Sequence, residues 1–222
     1  MRSLGLAALL LLVLPLATAP AAASTFCGCN GEVALSFTPA PELTAVLEQA
    51  PDAQGLTRVE VHAVLVDVAE LEGPRGVFQD LGGYELELRI TGAEPLSVSK
   101  QHLIPYRDFG ARPTQCLVGT TPGEPVVGQP LALVKWQLVF QGEVEDVRFD
   151  LDPAGIISCE RTPGCEGSGA SAMYVGTVDA RQEGYIFAAG ARPAVLNPTG
   201  EPELEPQPCT RGFAEVGVYQ ER

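Results

Sequence analysis

Tyr84, Leu86, Leu88 and Ile90 alternate with Glu85, Glu87, Arg89 and Thr91, and this period of two restricts the chain more than any other feature. Successive side chains of a strand point to opposite faces, so such a segment buries one face and leaves its charged face in water. Val33, Leu35 and Phe37 repeat the pattern against Ala34, Ser36 and Thr38. Residues 58–68 begin in the same way, with Val59 and Val61 inside and Glu60 and His62 on the wet side. The apolar side then swaps around Ala63, Val64 and Leu65, which predicts a bulge or a central strand covered on both faces. Ala132, Val134, Trp136, Leu138 and Phe140 share one face of residues 131–140, which makes Trp136 a core residue. Val147, Phe149 and Leu151 form a shorter inward set, and residues 174–178, 184–189 and 213–219 complete the expected strands.

Turn residues separate these runs: Gly82-Gly83, Gly92, Pro122-Gly123, Gly128, Gly142, Pro153-Ala154-Gly155 and Pro163-Gly164. Residues 41–49 (PELTAVLEQ) read as the one short helix, with Pro41 and Glu42 in its first turn and Leu43, Val46 and Leu47 on one side. Residues 197–208 (NPTGEPELEPQP) are too rich in proline for a central strand and read as a surface crossing. Many short strands with one helix predict an all-β fold, an antiparallel β-sandwich of immunoglobulin-like or jelly-roll-like architecture. Cys116, Trp136 and Cys159 lack the spacing of a true immunoglobulin domain, so that likeness is one of architecture alone.

The first residues bear on compartment. Arg2 precedes an apolar run from Leu4 to Ala17, and Ala21-Ala22-Ala23 supplies the small residues a signal peptidase reads. The run is shorter than the roughly 20 residues needed to span a bilayer. Residues 1–23 are therefore expected to be a cleaved signal peptide, and 24–222 a single domain secreted to the periplasm or the cell exterior without membrane insertion. About 200 residues suffice for one real core.

Export changes the reading of cysteine. Cys27, Cys29, Cys116, Cys159, Cys165 and Cys209 all lie beyond residue 23, and an even count in an oxidising compartment predicts three disulfides, with 15 possible pairings. Their spacing does not suit zinc, and His62 and His102 are the only histidines. A formal charge of −14 repels phosphate backbones and argues against nucleic-acid binding.

Four constellations could carry chemistry. Asp150 and Asp152 stand two apart on a strand, so their carboxylates share a face; with Glu143, Glu145 and Asp146 nearby they could gather around Ca²⁺. The EF-hand pattern is absent, and solvated residues at a turn explain the same spacing. His62 and His102 have Asp67 and Asp108 near them in sequence, but no serine sits in a nucleophile elbow. Glu85 and Glu87 form a carboxylate pair whose separation a sequence does not give. Tyr106, Arg107, Phe109 and Arg112 lie between Pro105 and Pro113, in a stretch expected to loop out and suited to contacting a partner; the competing expectation has the aromatics fold back and the arginines pair with acids. The chain is thus expected to be a non-catalytic exported protein that binds an unidentified protein or small ligand or plays a structural role, with no cofactor beyond Ca²⁺ at Asp150 and Asp152. A secreted hydrolase assembled from distant residues and a calcium-stabilised module are the alternatives.

Overall fold

The computed structural model describes residues 26–66, 71–73, 76–78, 80–120, 130–152, 154, 171–176 and 185–207. Its strands in chain order are β1 (Phe26–Ser36), β2 (Val46–Leu47), β3 (Leu56–Val66), β4 (Leu71–Gly73), β5 (Gly76–Phe78), β6 (Asp80–Thr91) and β7 (Ser97–His102). They continue with β8 (Tyr106–Asp108), β9 (Gln115–Thr120), β10 (Leu131–Gln141), β11 (Val147–Asp152), β12 (Ser171–Gly176), β13 (Tyr185–Arg192) and β14 (Ala194–Leu196). The period-two runs at 84–91, 131–140 and 147–151 fall on strands, as do 33–36 and 58–66; Phe37 and Thr38 lie just past β1, and residues 67 and 68 lie outside the described residues. The expected strand at 213–219 lies outside the described residues.

One sheet runs in the order β2-β14-β11-β6-β12-β13-β1-β3-β10-β7, with β9 on β6 and β8 on β9, and β4-β5 is a separate hairpin. The long sheet turns over on itself. Val33, Val61, Trp136 and Leu138 from the β1-β3-β10 part share one buried cluster with Leu86, Cys116, Phe149 and Leu196 from the β6-β9-β11-β14 part. Phe37 meets Phe149 edge-on at 5.8 Å between ring centroids, a geometry that adds to area burial. The result is a β-sandwich, but a mixed one. β1 pairs with β13 and β14 with β2 in parallel, which corrects the antiparallel expectation.

The apolar swap in β3 has a specific cause. β3 lies between β1 and β10, and its residues are buried without a break from Val61 to Val66. The extra residue sits in the partner: β10 shifts register between Ala132 and Val134. That bulge turns Ala132 to the opposite face, where it packs with Ala34, Val64 and Val66 in a second small cluster, while Leu133 joins the main core.

Residues 41–49 form no helix. So short a segment gains little as an isolated helix, and tertiary partners take its backbone instead. Val46 and Leu47 pair with Val195 and Leu196, and the Ser36 hydroxyl accepts the Thr44 amide at 2.8 Å. Asn197, at a left-handed φ of 50° that asparagine tolerates, accepts the Gln49 amide at 2.6 Å and donates to the Val144 carbonyl at 2.8 Å. Residues 198–206 carry no strand, and Gln207 bridges to Ala191.

The three-disulfide framework is also corrected. Cys116 stands opposite Leu86 in the β6–β9 ladder, fully buried and free, so at most two bridges can form among the remaining five cysteines. Parity of a residue count cannot register that one member packs as a small apolar side chain. The side chains of Cys27, Cys29, Cys159, Cys165 and Cys209 lie outside the described residues. No helix among the described residues is long and apolar enough to cross a membrane.

Candidate functional site at the β7–β8 margin

β7 pairs with β10 and β8 with β9, and among the described residues neither has a second backbone partner. These two strands end opposite parts of the folded-over sheet, and side chains rather than backbone join them. Lys100 and His102 point inward from β7, where period-two patterning would demand apolar residues. Asp108 of β8 answers both: its Oδ2 accepts Lys100 Nζ at 2.6 Å and His102 Nε2 at 2.9 Å. Its Oδ1 accepts the amides of Gly110 at 2.8 Å and Leu117 at 3.2 Å. The other ring nitrogen, Nδ1, lies 2.6 Å from the hydroxyl of buried Tyr84, which is also 3.1 Å from the Leu133 carbonyl. Asp108, held as a carboxylate, can only accept, so Nε2 carries the ring proton and Nδ1 of the neutral imidazole accepts from the Tyr84 hydroxyl. Nε2–H donates to Asp108, and the polar groups of this network are satisfied with a neutral imidazole.

Burial sets the protonation states. It lowers the His102 pKa below the ordinary value of 6.5, against the opposing pull of Asp108. It raises the Tyr84 hydroxyl far above its ordinary range and pushes the Cys116 thiol up to about 12. Burial also works to raise Asp108, but Lys100, the Gly110 amide, His102 and the Leu117 amide together hold its carboxyl below 3.8.

This network displays a surface. The Tyr106 ring stacks on His102 with centroids 4.1 Å apart, yet stays 50% exposed, and Phe109 is 72% exposed. The stretch expected to loop out is therefore part strand: residues 106–108 pair with Val118, Gly119 and Thr120, and only 109–114 turn. Gly110 is required there, because a Cβ would lie 2.4 Å from the Gln115 carbonyl oxygen. Arg107 is exposed, whereas Arg112 pairs with Glu87 at 2.6 Å. The Pro113 carbonyl accepts the Trp136 indole at 3.1 Å, anchoring the turn to the core.

Asp150 and Asp152 do share a face, but arginines occupy it. Buried Asp150 takes Arg148 Nε at 3.0 Å and Arg89 at 3.3 Å, and Asp152 takes Arg89 at 3.4 Å. The register sets Asp152 opposite Glu87, the partner of Arg112, so this charged face and the 106–112 stretch adjoin. Asp146 turns to Thr199 instead. A cation at Asp150 would have to displace two guanidinium groups, and among the described residues no set of three or more acidic, histidine or cysteine side chains is arranged to hold a metal. His62, expected on the wet face, is buried, and its Nδ1 finds no hydrogen-bond partner among the described residues. Two surface depressions, of about 330 and 450 Å³, are lined by Arg58, Glu60, Ser97 and Ser99 and by Glu48, Glu143, Glu145 and Thr199; neither is lined by a histidine.

The sequence reading missed the Tyr84–His102–Asp108–Lys100 chain. Its one signal was the nearness of Asp108 to His102 in sequence.

No family model and no curated protein matches the chain. Among solved structures, it is similar to the seventh ScaB type I cohesin from Pseudobacteroides cellulosolvens at 8% identity and a TM-score of 0.41, over 80% of this chain and 97% of that one.

Proposed function

We propose that the chain is an exported, non-catalytic β-sandwich that binds a protein partner through the β7–β8 margin, with Tyr106, Phe109 and Arg107 as its contact residues. One observation carries this reading. Among the described residues the exposed large apolar side chains are Leu96 at 60%, Leu103 at 39%, Tyr106 at 50% and Phe109 at 72%, all from one short stretch. Exposed apolar residues scattered singly need no explanation, but a run of them along one margin is the signature of a contact surface. Aromatic and arginine side chains are the ones that interfaces favour at their centres. The rigid layer below supports the same reading, since a pre-organised side chain loses less entropy on binding.

The hydrolase alternative asks the Tyr84–His102–Asp108 chain to activate a nucleophile. Tyr84 is buried and its hydroxyl resists ionisation, so the chain orients a ring and offers no attacking oxygen to a substrate. Export through residues 1–23 is part of the proposal, and Edman sequencing of the mature protein beginning at Ser24 tests it.

Binding is tested with Phe109→Ser and Leu103→Ser in the mature chain. Both side chains are surface residues, so thermal stability should change little. Partners cross-linked to the wild-type protein in its native compartment should lose about tenfold or more in recovery with the double variant, the effect of removing a hot spot. Unchanged recovery, or a hydrolytic turnover that disappears with His102→Ala, would overturn the reading.

A further inference from the structure

We propose that His102 is an acid-operated latch that holds β8 and its exposed aromatics to the margin when neutral and releases residues 106–110 when protonated. The inference rests on the preceding reading only for what is regulated, namely the Tyr106–Phe109 surface.

The groups facing the imidazole are Tyr84 from β6, Lys100 from its own strand, Tyr106 and Asp108 from β8, and the Leu133 carbonyl of β10; Cys116 of β9 stands behind Tyr84. Lys100 and Asp108 cancel each other's charge. Hydrogen bonding alone would allow one more proton. Nδ1–H could donate to the Tyr84 oxygen while the Tyr84 hydroxyl turned to Leu133 O, 3.1 Å away. The charge is what has no answer. Protonation sets a second cation on Asp108 Oδ2, which already holds Lys100 at 2.6 Å, at a ring whose side chain is 2% exposed. No other carboxylate among the described residues reaches the ring, and water cannot solvate it. A buried, uncompensated charge is relieved by ionisation change or by opening.

Opening has one easy direction. β7 is held by a continuous ladder to β10 across residues 97–102. β8 has three residues, paired on one side with β9, and its return turn depends on Asp108 itself through the Gly110 and Leu117 amides. When Asp108, His102 and Lys100 separate into water, that turn loses its side-chain acceptor. Tyr106 loses the neutral ring beneath it at the same step.

Amide hydrogen exchange, corrected for the intrinsic pH dependence of the chemistry, reads this directly on the full mature chain without a partner. Gly110, Leu117 and Phe109, whose amide donates to Leu117 O at 2.9 Å, are the reporters, and the β3–β10 ladder is the internal reference. Between about pH 7.5 and pH 5 the reporters should lose protection about tenfold for each pH unit over which closed and open forms differ in protonation, while the ladder amides keep theirs. His102→Gln, which can still donate to Asp108 and accept from Tyr84, should make the reporters insensitive to pH. His62→Gln, at the other buried histidine, should respond like wild type. Should His102→Gln fail to fold, the wild-type protein still decides: the nitrogen shifts of the His102 ring should titrate over the pH range in which protection falls. The proposal is overturned if reporters and ladder open together, if His102→Gln responds as wild type does, or if protection persists to about pH 5. These outcomes do not depend on any partner, so failure here and failure of the docking experiment are told apart.

Discussion

Replacing Tyr84 by phenylalanine isolates a single oxygen in the network that closes the sandwich margin. The ring stays buried in the core, so the apolar contribution is unchanged. The hydroxyl's two neighbours are not equally dependent on it. Leu133 O retains the Leu103 amide at 2.9 Å, so the loss falls on His102 Nδ1, which has only the Tyr84 hydroxyl at 2.6 Å. A buried acceptor stranded in this way costs about 1–3 kcal/mol. For a domain of this size that corresponds to a fall in Tm of about 2–4 °C per kcal/mol. Urea unfolding followed by circular dichroism gives the free energy, and the slope of the transition should not change. A double-mutant cycle with His102→Ala should return a coupling of about 0.5–3 kcal/mol, because the two side chains touch. A Tyr84→Phe protein as stable as wild type, or a cycle with no coupling, would refute the assignment of that proton and with it the argument that the margin is closed by side chains.

Phe149→Ala removes one half of the Phe37–Phe149 contact from the middle of the core and should cost about 3–5 kcal/mol in the same assay. Cys116 should resist iodoacetamide in the native protein and react only on denaturation, since it is buried with its thiol pushed up to about 12; peptide mass spectrometry checks this, and native labelling would contradict its place in the core. Stability should fall in two stages on acidification. His62 and His102 both have pKa values lowered by burial below 6.5, so the unfolded chain takes up protons first and stability present above 6.5 is lost as pH falls beneath it. Asp108, which Lys100 and two backbone amides hold below 3.8 despite burial, contributes stability present above 3.8 and lost as pH falls through its lower native value. Melting temperatures across pH 3–8 should show both stages, and the upper one should shrink in His62→Gln.

The two histidines show why the site was less legible than the fold. His62 alternates with Glu60 and Arg58 and reads as wet, but it shares its face with Val64 and Val66, where Ala34, Ala40, Leu43 and Ala132 pack, and it is buried. Residues 97–102 were not among the expected strands, yet they form β7, with Lys100 and His102 on its inner face. At His62 the local pattern was sound and the inference from polarity to exposure failed. Asp108 of β8 compensates the charge in β7, and although it stands only a few residues away, which side chains the two strands turn toward each other is not written in either pattern. The helix expected at 41–49 failed for the same reason: Val195, Leu196 and Asn197 compete for its backbone.

Read by itself, the order of residues determined the long strands at 33–36, 58–66, 84–91, 131–140 and 147–151 and most of their apolar faces, but not the short strands β2, β4, β5, β7, β8 and β9. Burial of alternate side chains is a property of neighbours along the chain, and Leu86, Trp136 and Phe149 announce it locally. What pairs with what was decided by the tertiary structure alone. The parallel β1–β13 and β14–β2 ladders, the Arg89–Asp150 pair and the Tyr84–His102 bond join separate strands, and even His102–Asp108 and Arg148–Asp150, close in sequence, depend on how those strands face. Such contacts are chosen by competition between charge, desolvation and hydrogen bonding in three dimensions, and that competition leaves no period in the sequence to read.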